Sequence, residues 1–228
     1  MIIFFDIILG FSIISILSIL AYFLKYLDRD GAIVGIMIGS IILVGGGWSA
    51  LIIMMVFFII SVFSTRLKYS YKRHLGFGQE KGGKRGWKNT VANGSVASVS
   101  VLAGFYFSED IFYAAFLGAM ATSMADTLAT EIGLLSKSRP RLITNLRKKV
   151  GAGTSGGISI LGELILILGS LSIGVLAFLF KFSEISFVGL ILITVSGGIV
   201  GSHIDSILGA TIQSMNRCVV CGFITENN

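Results

Sequence analysis

Hydrophobic positions in this chain form long apolar runs separated by short polar segments. A run of about 20 residues is long enough to cross the hydrocarbon core of a bilayer as a helix. The pattern predicts about seven such helices, over residues 2–24, 31 to the glycines at 45–47, 48–64, 91–107, 111–131, 157–180 and 185–213. We therefore expect an all-α, polytopic transmembrane bundle.

Glycines divide and shape the second and third of these helices. Gly31, Gly35 and Gly39 recur every four residues, which predicts a seam where another helix packs closely. The run Gly45 to Gly47 interrupts the apolar stretch and predicts a break. Two full spans or a re-entrant pair would both satisfy this pattern.

Charge is concentrated in two polar segments, 65–90 and 136–156, where basic residues greatly outnumber acidic ones. Basic loops favour the cytoplasmic side, so we expect both segments inside the cell, the N-terminus outside and the C-terminal tail, 214–228, inside. The formal charge of +6 comes from these loops, and no basic pattern interleaved with aromatics indicates nucleic-acid binding.

The composition excludes an ordinary soluble protein. Mean hydropathy is +0.89, 54% of residues are hydrophobic and only 13% are charged. A single proline and 29 glycines fit long helices that approach each other closely. We expect one integral domain over residues 1–228, located in the cell membrane.

Carboxylates inside the predicted spans are the first candidates for chemistry. Asp126 and Glu131 flank a hydroxyl-rich stripe on the fifth helix, and Asp205 follows glycines on the seventh. Such acids usually face the bundle interior and mark a functional pathway. A divalent cation is a natural partner. For Asp205, an interhelical hydrogen bond is the structural alternative.

The glycine-rich segment 151–157 is the second candidate. It spells GxGxxG but no strand precedes it, so a dinucleotide-binding fold is rejected. Glycines and hydroxyls at the start of a helix would instead favour phosphate. The cationic loop beside it suits a nucleotide triphosphate, although such a loop is equally typical of membrane topology. The stretch 78–85 resembles a P-loop, but Arg85 replaces the required Ser or Thr.

Two further features keep alternatives open. Glu163 lies about two turns inside the sixth helix, where it would join the site, snorkel or pair with Ser159. Cys218 and Cys221 form a CxxC that supplies half of a zinc site. A reduced cytosolic pair is the simpler interpretation, and a homodimer that shares a metal is the alternative.

Five ordered motifs together resemble one known family. They are ANG (92–94), ADTLATEIG (125–133), RPRLIT (139–144), GTSGG (153–157) and DSILGA (205–210). The set resembles the integral-membrane family that contains transmembrane protein 19 and plant phytyl-phosphate kinase, and the cysteine pair resembles its archaeal members. Glu163 stands where that family leads us to expect a small or hydroxylated residue.

This resemblance implies a membrane kinase that converts a prenyl monophosphate into its diphosphate, with CTP as the donor. Asp126, Glu131 and Asp205 are then the expected Mg²⁺ ligands and catalytic acids, with Asn93 and Thr130 orienting them. The expected phosphate-binding residues are Lys88, Arg139, Arg141, Gly153, Thr154, Gly156 and Gly157. A cytidylyltransferase and a small ion-coupled transporter are the alternatives.

Overall fold

The computed structural model describes residues 4–74, 80–212, 216–217 and 224–225. Its helices are α1 (Phe4–Phe23), α2 (Arg29–Arg66), α3 (Tyr69–His74), α4 (Glu80–Gly83), α5 (Trp87–Phe107), α6 (Asp110–Gly133), α7 (Ile160–Leu179) and α8 (Phe187–Thr211). Six of them, all except the short α3 and α4, are long and apolar enough to cross a membrane. The all-α, polytopic class predicted from the sequence is confirmed.

Helix α2 folds back on itself at Gly47. This residue has φ 70° and ψ −167°, a left-handed conformation that favours glycine. A straight helix of 38 residues would separate its ends by about 57 Å. Yet Arg66, the last residue of α2, donates hydrogen bonds to the carbonyls of Leu24 and Lys25, just before α2 begins, at 3.2 and 2.8 Å. The predicted break is therefore confirmed.

The fold-back reaches the far end of the bundle. Ser49, just after the break, donates a 2.7 Å hydrogen bond to the carbonyl of Phe180, which caps the C-terminus of α7. Each leg of α2, 29–46 and 48–66, thus runs the length of the bundle, as a full span does and a re-entrant segment does not. The six apolar helices provide seven apolar legs.

Helix α6 lies at the centre and packs against α2, α5, α7 and α8. Apolar side chains in its middle part are fully buried, namely Phe116, Leu117, Met120, Ala121 and Met124. These side chains form one hydrophobic core with residues from α2, α5, α7 and α8. The C-terminal half of α6 carries Asp126, Thr127, Thr130 and Glu131, and we call it the polar half.

Small residues let α8 approach α6 and α7 very closely. A Cβ added to Gly198 would lie 1.9 Å from Oγ of Ser170, and one on Gly201 would lie 2.3 Å from Oγ1 of Thr122. The same Thr122 hydroxyl donates to the carbonyl of Gly197 at 2.9 Å. This close contact holds the C-terminal half of α8 beside the polar half of α6.

The two cationic segments lie at the same end of the bundle. Lys72, in α3 of the first segment, donates to Glu131, which lies near the end of α6 just before the second segment. The structure thereby agrees with an even number of legs between the segments. Which side of the membrane this end faces stays a prediction.

Cysteine labelling tests that prediction. In a background with Cys218 and Cys221 replaced by serine, Ser70→Cys and Ser138→Cys should both react only with a reagent that reaches the cytoplasm. Glu184→Cys, in the connection at the opposite end, is the matched control and should react from outside. Labelling of Ser70→Cys and Ser138→Cys from outside would place the whole candidate site on the other face.

Candidate functional site

Helices α6, α7 and α8 enclose a cavity of about 380 Å³ at the cationic end of the bundle. The segment 152–159, between the second cationic loop and α7, forms its remaining wall. One acidic side chain comes from each helix: Asp126 from α6, Glu163 from α7 and Asp205 from α8. The close approach of α8 to α6 is what brings the first and third of these together.

Asp126 and Asp205 both line this cavity. The hydroxyl of Ser202, three residues before Asp205 on α8, donates to Oδ1 of Asp126 at 3.3 Å. The charge of Asp205 also acts on Asp126. Two carboxylates that repel each other in a partly enclosed space are stabilised by a cation between them.

Magnesium fits this donor set better than a metal that needs an all-protein cage. Within residues 4–74, 80–212, 216–217 and 224–225, no group of three or more His, Cys, Asp or Glu side chains could hold a metal ion. Mg²⁺ is typically bound by one or two carboxylates together with substrate phosphates and water. Asp126 and Asp205 are the residues that would hold it.

The glycine-rich wall of the cavity differs from the prediction in its secondary structure. A small antiparallel sheet, with strands β1 (Arg141–Leu142), β2 (Asn145–Lys149) and β3 (Gly157–Ile158) in the order β2-β1-β3, shapes the loop. Helix α7 begins only at Ile160, with Ser159 as its N-cap. The expectation that Gly157 opens this helix is wrong, because the serine hydroxyl accepts from Gly162 N and caps the helix there.

Part of the predicted phosphate cradle is already used by the protein. The backbone N–H of Gly157 donates to the carbonyl of Thr154 at 2.8 Å, and that of Thr154 donates to Gly151 at 3.3 Å. Gly156, at φ 71°, packs against α8, where an added Cβ would lie 2.4 Å from Cβ of Ala210. Gly156 therefore fixes the wall to α8, while Thr154 lines the cavity.

His203 is a cavity residue that the sequence analysis missed. Its Nε2 lies 3.4 Å from Oε2 of Glu163, and its Nδ1 lies 2.8 Å from the carbonyl of Ile199. Glu163 therefore pairs with His203 and not with Ser159. The available signal was an ionisable residue two positions before Asp205 in a predicted span, which by itself suggests function.

Seven of the predicted site residues line this cavity and five do not. Those that line it are Asp126, Thr130, Gly153, Thr154, Gly156, Gly157 and Asp205. Arg139 and Arg141 are exposed, and Arg141 donates to the carbonyl of Leu146 at 2.7 Å. Lys88 is exposed in the first turn of α5, 6.0 Å from the ring centroid of Trp87.

Glu131 and Asn93 face other surroundings. Glu131 is only 3% exposed and forms an ion pair with Lys72. Five residues correspond to about 140° around a helix, so Glu131 points away from the face that carries Asp126. Asn93 donates to the carbonyl of Asn89 and lines a separate groove near α1 and α2. The cysteine pair and residues 78 and 79 of the P-loop-like stretch lie outside the described residues.

Comparisons with known proteins agree with the motif resemblance. A family described as an integral membrane protein, DUF92, matches residues 12–228. An uncharacterized membrane protein of Methanocaldococcus jannaschii is 32% identical over 202 residues, which cover 88% of this chain and 81% of that protein. Protein PGR of Arabidopsis thaliana is 31% identical over 239 residues, 95% of this chain and 82% of its own length.

A more distant relative is Protein VTE6, a chloroplastic protein of Arabidopsis thaliana. It is 25% identical over 198 residues, which cover 82% of this chain and 56% of the plant protein. No solved structure matches the chain significantly. The family predicted from the motifs is thus confirmed.

Proposed function

The chain belongs to the integral membrane protein family DUF92, and from that premise we propose that it is a membrane-embedded kinase that phosphorylates a prenyl monophosphate. The donor is CTP or another nucleotide triphosphate, and the site faces the cytoplasm of the cell. The observation that carries the proposal is that Asp126 and Asp205 line the same cavity, one wall of which is rich in glycine. Motif resemblance to the family of plant phytyl-phosphate kinase supplies the substrate class.

In this reaction the protein need not form a covalent intermediate. A monophosphate acceptor is largely ionised near pH 7, so its oxygen attacks the γ-phosphorus without a strong general base. A new P–O bond forms to that oxygen, the bond to the β-phosphate oxygen breaks, and the nucleoside diphosphate leaves. Positioning and charge neutralisation dominate such transfers.

Each cavity residue has a role in that scheme. Asp126 and Asp205 would hold Mg²⁺, which when bound neutralises phosphate charge and orients the reacting groups. Ser202 positions Asp126 through its hydrogen bond. Thr130 on α6 and Thr154 in the glycine-rich segment provide hydroxyl donors to the cavity.

Cationic residues outside the lining act at longer range. Lys88, Arg139 and Arg141 are exposed at the cavity end of the bundle. Exposed cations at a site entrance raise the local concentration of an anionic substrate and accelerate its binding. We assign Glu131 a structural role, because its charge is already paired with Lys72 in a buried position.

The decisive assay offers purified protein in detergent a series of prenyl monophosphates and each nucleotide triphosphate labelled at the γ-phosphate. We expect label in a lipid diphosphate and release of nucleoside diphosphate, with a preference for CTP. Release of pyrophosphate would indicate a cytidylyltransferase. Absence of nucleotide binding to a folded protein would favour a transporter, which needs its acids but no nucleotide.

Thr154 provides a test of the glycine-rich wall. Thr154→Val removes a hydroxyl donor and conserves most of the side-chain shape. We expect affinity for nucleotide or prenyl phosphate to fall by ~1.5–3 kcal/mol, the usual contribution of a hydrogen bond to a charged group. Thermal stability without ligand should change little.

Thr144→Val is the matched control for this variant. Thr144 is exposed in the turn between β1 and β2 and does not line the cavity. Its replacement should leave ligand affinity unchanged. If Thr154→Val lowers the melting temperature and leaves affinity intact, Thr154 serves the fold of the loop and phosphate binds elsewhere.

A further inference from the structure

A second cavity, of about 300 Å³, lies between α1, α2 and α5, on another face of the bundle. We call it the α1–α2–α5 groove. Its walls are almost wholly apolar and include Ile14, Leu17, Ala21, Leu51, Phe57 and Phe58. Other wall residues, among them Leu20, Leu24 and Phe63, are also exposed on the outer surface of the bundle. The groove therefore opens sideways, toward the hydrocarbon of the membrane.

Arg85 lies in the wall of this groove and is only 6% exposed. Two backbone hydrogen bonds hold Arg85 against the turn that follows α1. Arg85 N donates to the carbonyl of Tyr26 at 2.9 Å, and Asp28 N donates to the carbonyl of Arg85 at 3.1 Å. Its side chain has one unsatisfied nitrogen among the described residues. Nε has no hydrogen-bond partner, and one terminal nitrogen lies 3.4 Å from Oγ1 of Thr65.

Charges of both signs lie near Arg85. Lys72 and Arg85 are both buried cations, and Glu131 is the buried carboxylate that interacts with both. The nearby Asp28 carboxylate caps α2 by accepting from Gly31 N. Burial lowers the pKa of Arg85 and Glu131 opposes that effect, but an arginine remains protonated in proteins. A buried guanidinium with an unpartnered N–H is costly, so this position favours a further hydrogen-bond acceptor.

We propose that the α1–α2–α5 groove binds one membrane phospholipid, with a hydrocarbon chain along its apolar walls and the phosphodiester on the guanidinium of Arg85. A phosphodiester offers acceptor oxygens to the unpartnered N–H and carries a single negative charge, whereas a monoester carries about −1.5 to −2. The guanidinium presents several N–H donors that suit phosphate oxygens.

This lipid is distinct from the substrate of the reaction. Helix α6 separates the groove from the cavity that holds Asp126, since the Glu131 side of the helix faces Arg85 and the Asp126 side faces α8. The bound lipid instead fills the space between α1 and the rest of the bundle. Because α1 packs mainly on α2, the lipid should hold α1 in place and raise the stability of the whole chain.

Lipid retention and thermal stability together test the proposal. The full chain would be purified from detergent supplemented with phosphatidylglycerol, and the lipids that stay bound would be counted by native mass spectrometry. We expect one retained phosphatidylglycerol per chain and a melting temperature that rises with its concentration. Diacylglycerol, which lacks the phosphate, should do neither. Arg85→Gln should weaken retention about tenfold or more, as expected for a lost hydrogen bond to a charged group.

Two further variants separate binding from folding. Lys148→Gln removes an exposed cation of the other cationic segment and should retain the lipid as the wild type does. Gly35→Leu keeps every charge but places a side chain in the groove, where a Cβ has only ordinary contacts of 3.7 Å to Ser18 and 3.9 Å to Leu27. It should abolish retention. Equal retention by Arg85→Gln and the wild type would overturn the proposal, as would displacement of phosphatidylglycerol by an equal amount of a prenyl monophosphate.

Discussion

Asp126→Asn and Asp205→Asn are each expected to reduce phosphoryl transfer by roughly 10²–10³-fold or more, because each removes half of the negative charge that would hold a cation at the cavity. Both substitutions conserve side-chain volume. The amide oxygen of an asparagine at position 126 can still accept from Ser202, so the contact between α6 and α8 is preserved. Steady-state rates with the preferred nucleotide and prenyl monophosphate measure the loss.

Dependence on Mg²⁺ concentration distinguishes a lost ligand from a distorted site. If the carboxylates hold the cation, raising Mg²⁺ should partly restore the rate of each variant and the required concentration should increase. Melting temperatures should remain close to that of the wild type. A variant that loses activity with unchanged Mg²⁺ dependence would point to a role for that carboxylate other than metal binding.

Glu163→Gln is the matched control from the third helix of the same cavity. Oε2 of Glu163 lies 3.4 Å from Nε2 of His203, so Glu163 already has a partner within the protein, and its loss should matter less than that of either aspartate. Near-normal rates in both asparagine variants, together with loss of activity in Glu163→Gln, would show that the cation is placed on the wrong helices.

The helical framework follows from the sequence because the membrane imposes simple constraints. A span must bury about 20 apolar residues and satisfy its backbone internally, so long apolar runs predict helices directly. The break at Gly47 was also predictable, since three consecutive glycines interrupt the run locally. Neither inference needs knowledge of how the helices pack.

The positions of the carboxylates could be predicted from the sequence only in part. Placing Asp126 near Asp205 required only that both acids face the bundle interior. The partner of Glu131 depends instead on where α3 folds, and Lys72 is 59 positions away in the chain. The short strands β1 and β3, of two residues each, leave no alternating pattern to read. Capping by Ser159 and not by a glycine depends on the same local folding.

The Lys72–Glu131 pair gives the second large effect, this time on stability. Removing one partner of a buried ion pair typically costs about 3–5 kcal/mol, because a buried charge loses its compensation. Lys72 is 1% exposed and also donates to the carbonyl of Ser64 at 2.9 Å. We expect both Lys72→Met and Glu131→Gln to unfold at lower denaturant concentration, whereas Lys149→Met, at an exposed position of β2, should not.

The order of the two effects tests whether Glu131 compensates both Lys72 and Arg85. Glu131→Gln leaves two buried cations without their shared carboxylate, while Lys72→Met leaves Glu131 with Arg85 still nearby. Glu131→Gln should therefore be the more destabilising change, and the double variant should recover part of the loss, since it removes one charge of each sign.

The same double variant decides whether Glu131 is a structural residue or a metal ligand. If it is structural, Lys72→Met combined with Glu131→Gln should regain turnover along with stability, because the cavity that holds Asp126 and Asp205 is restored. If Glu131→Gln instead abolishes turnover at unchanged stability, and the second substitution rescues nothing, Glu131 reaches the cation and its pairing with Lys72 is not its essential role.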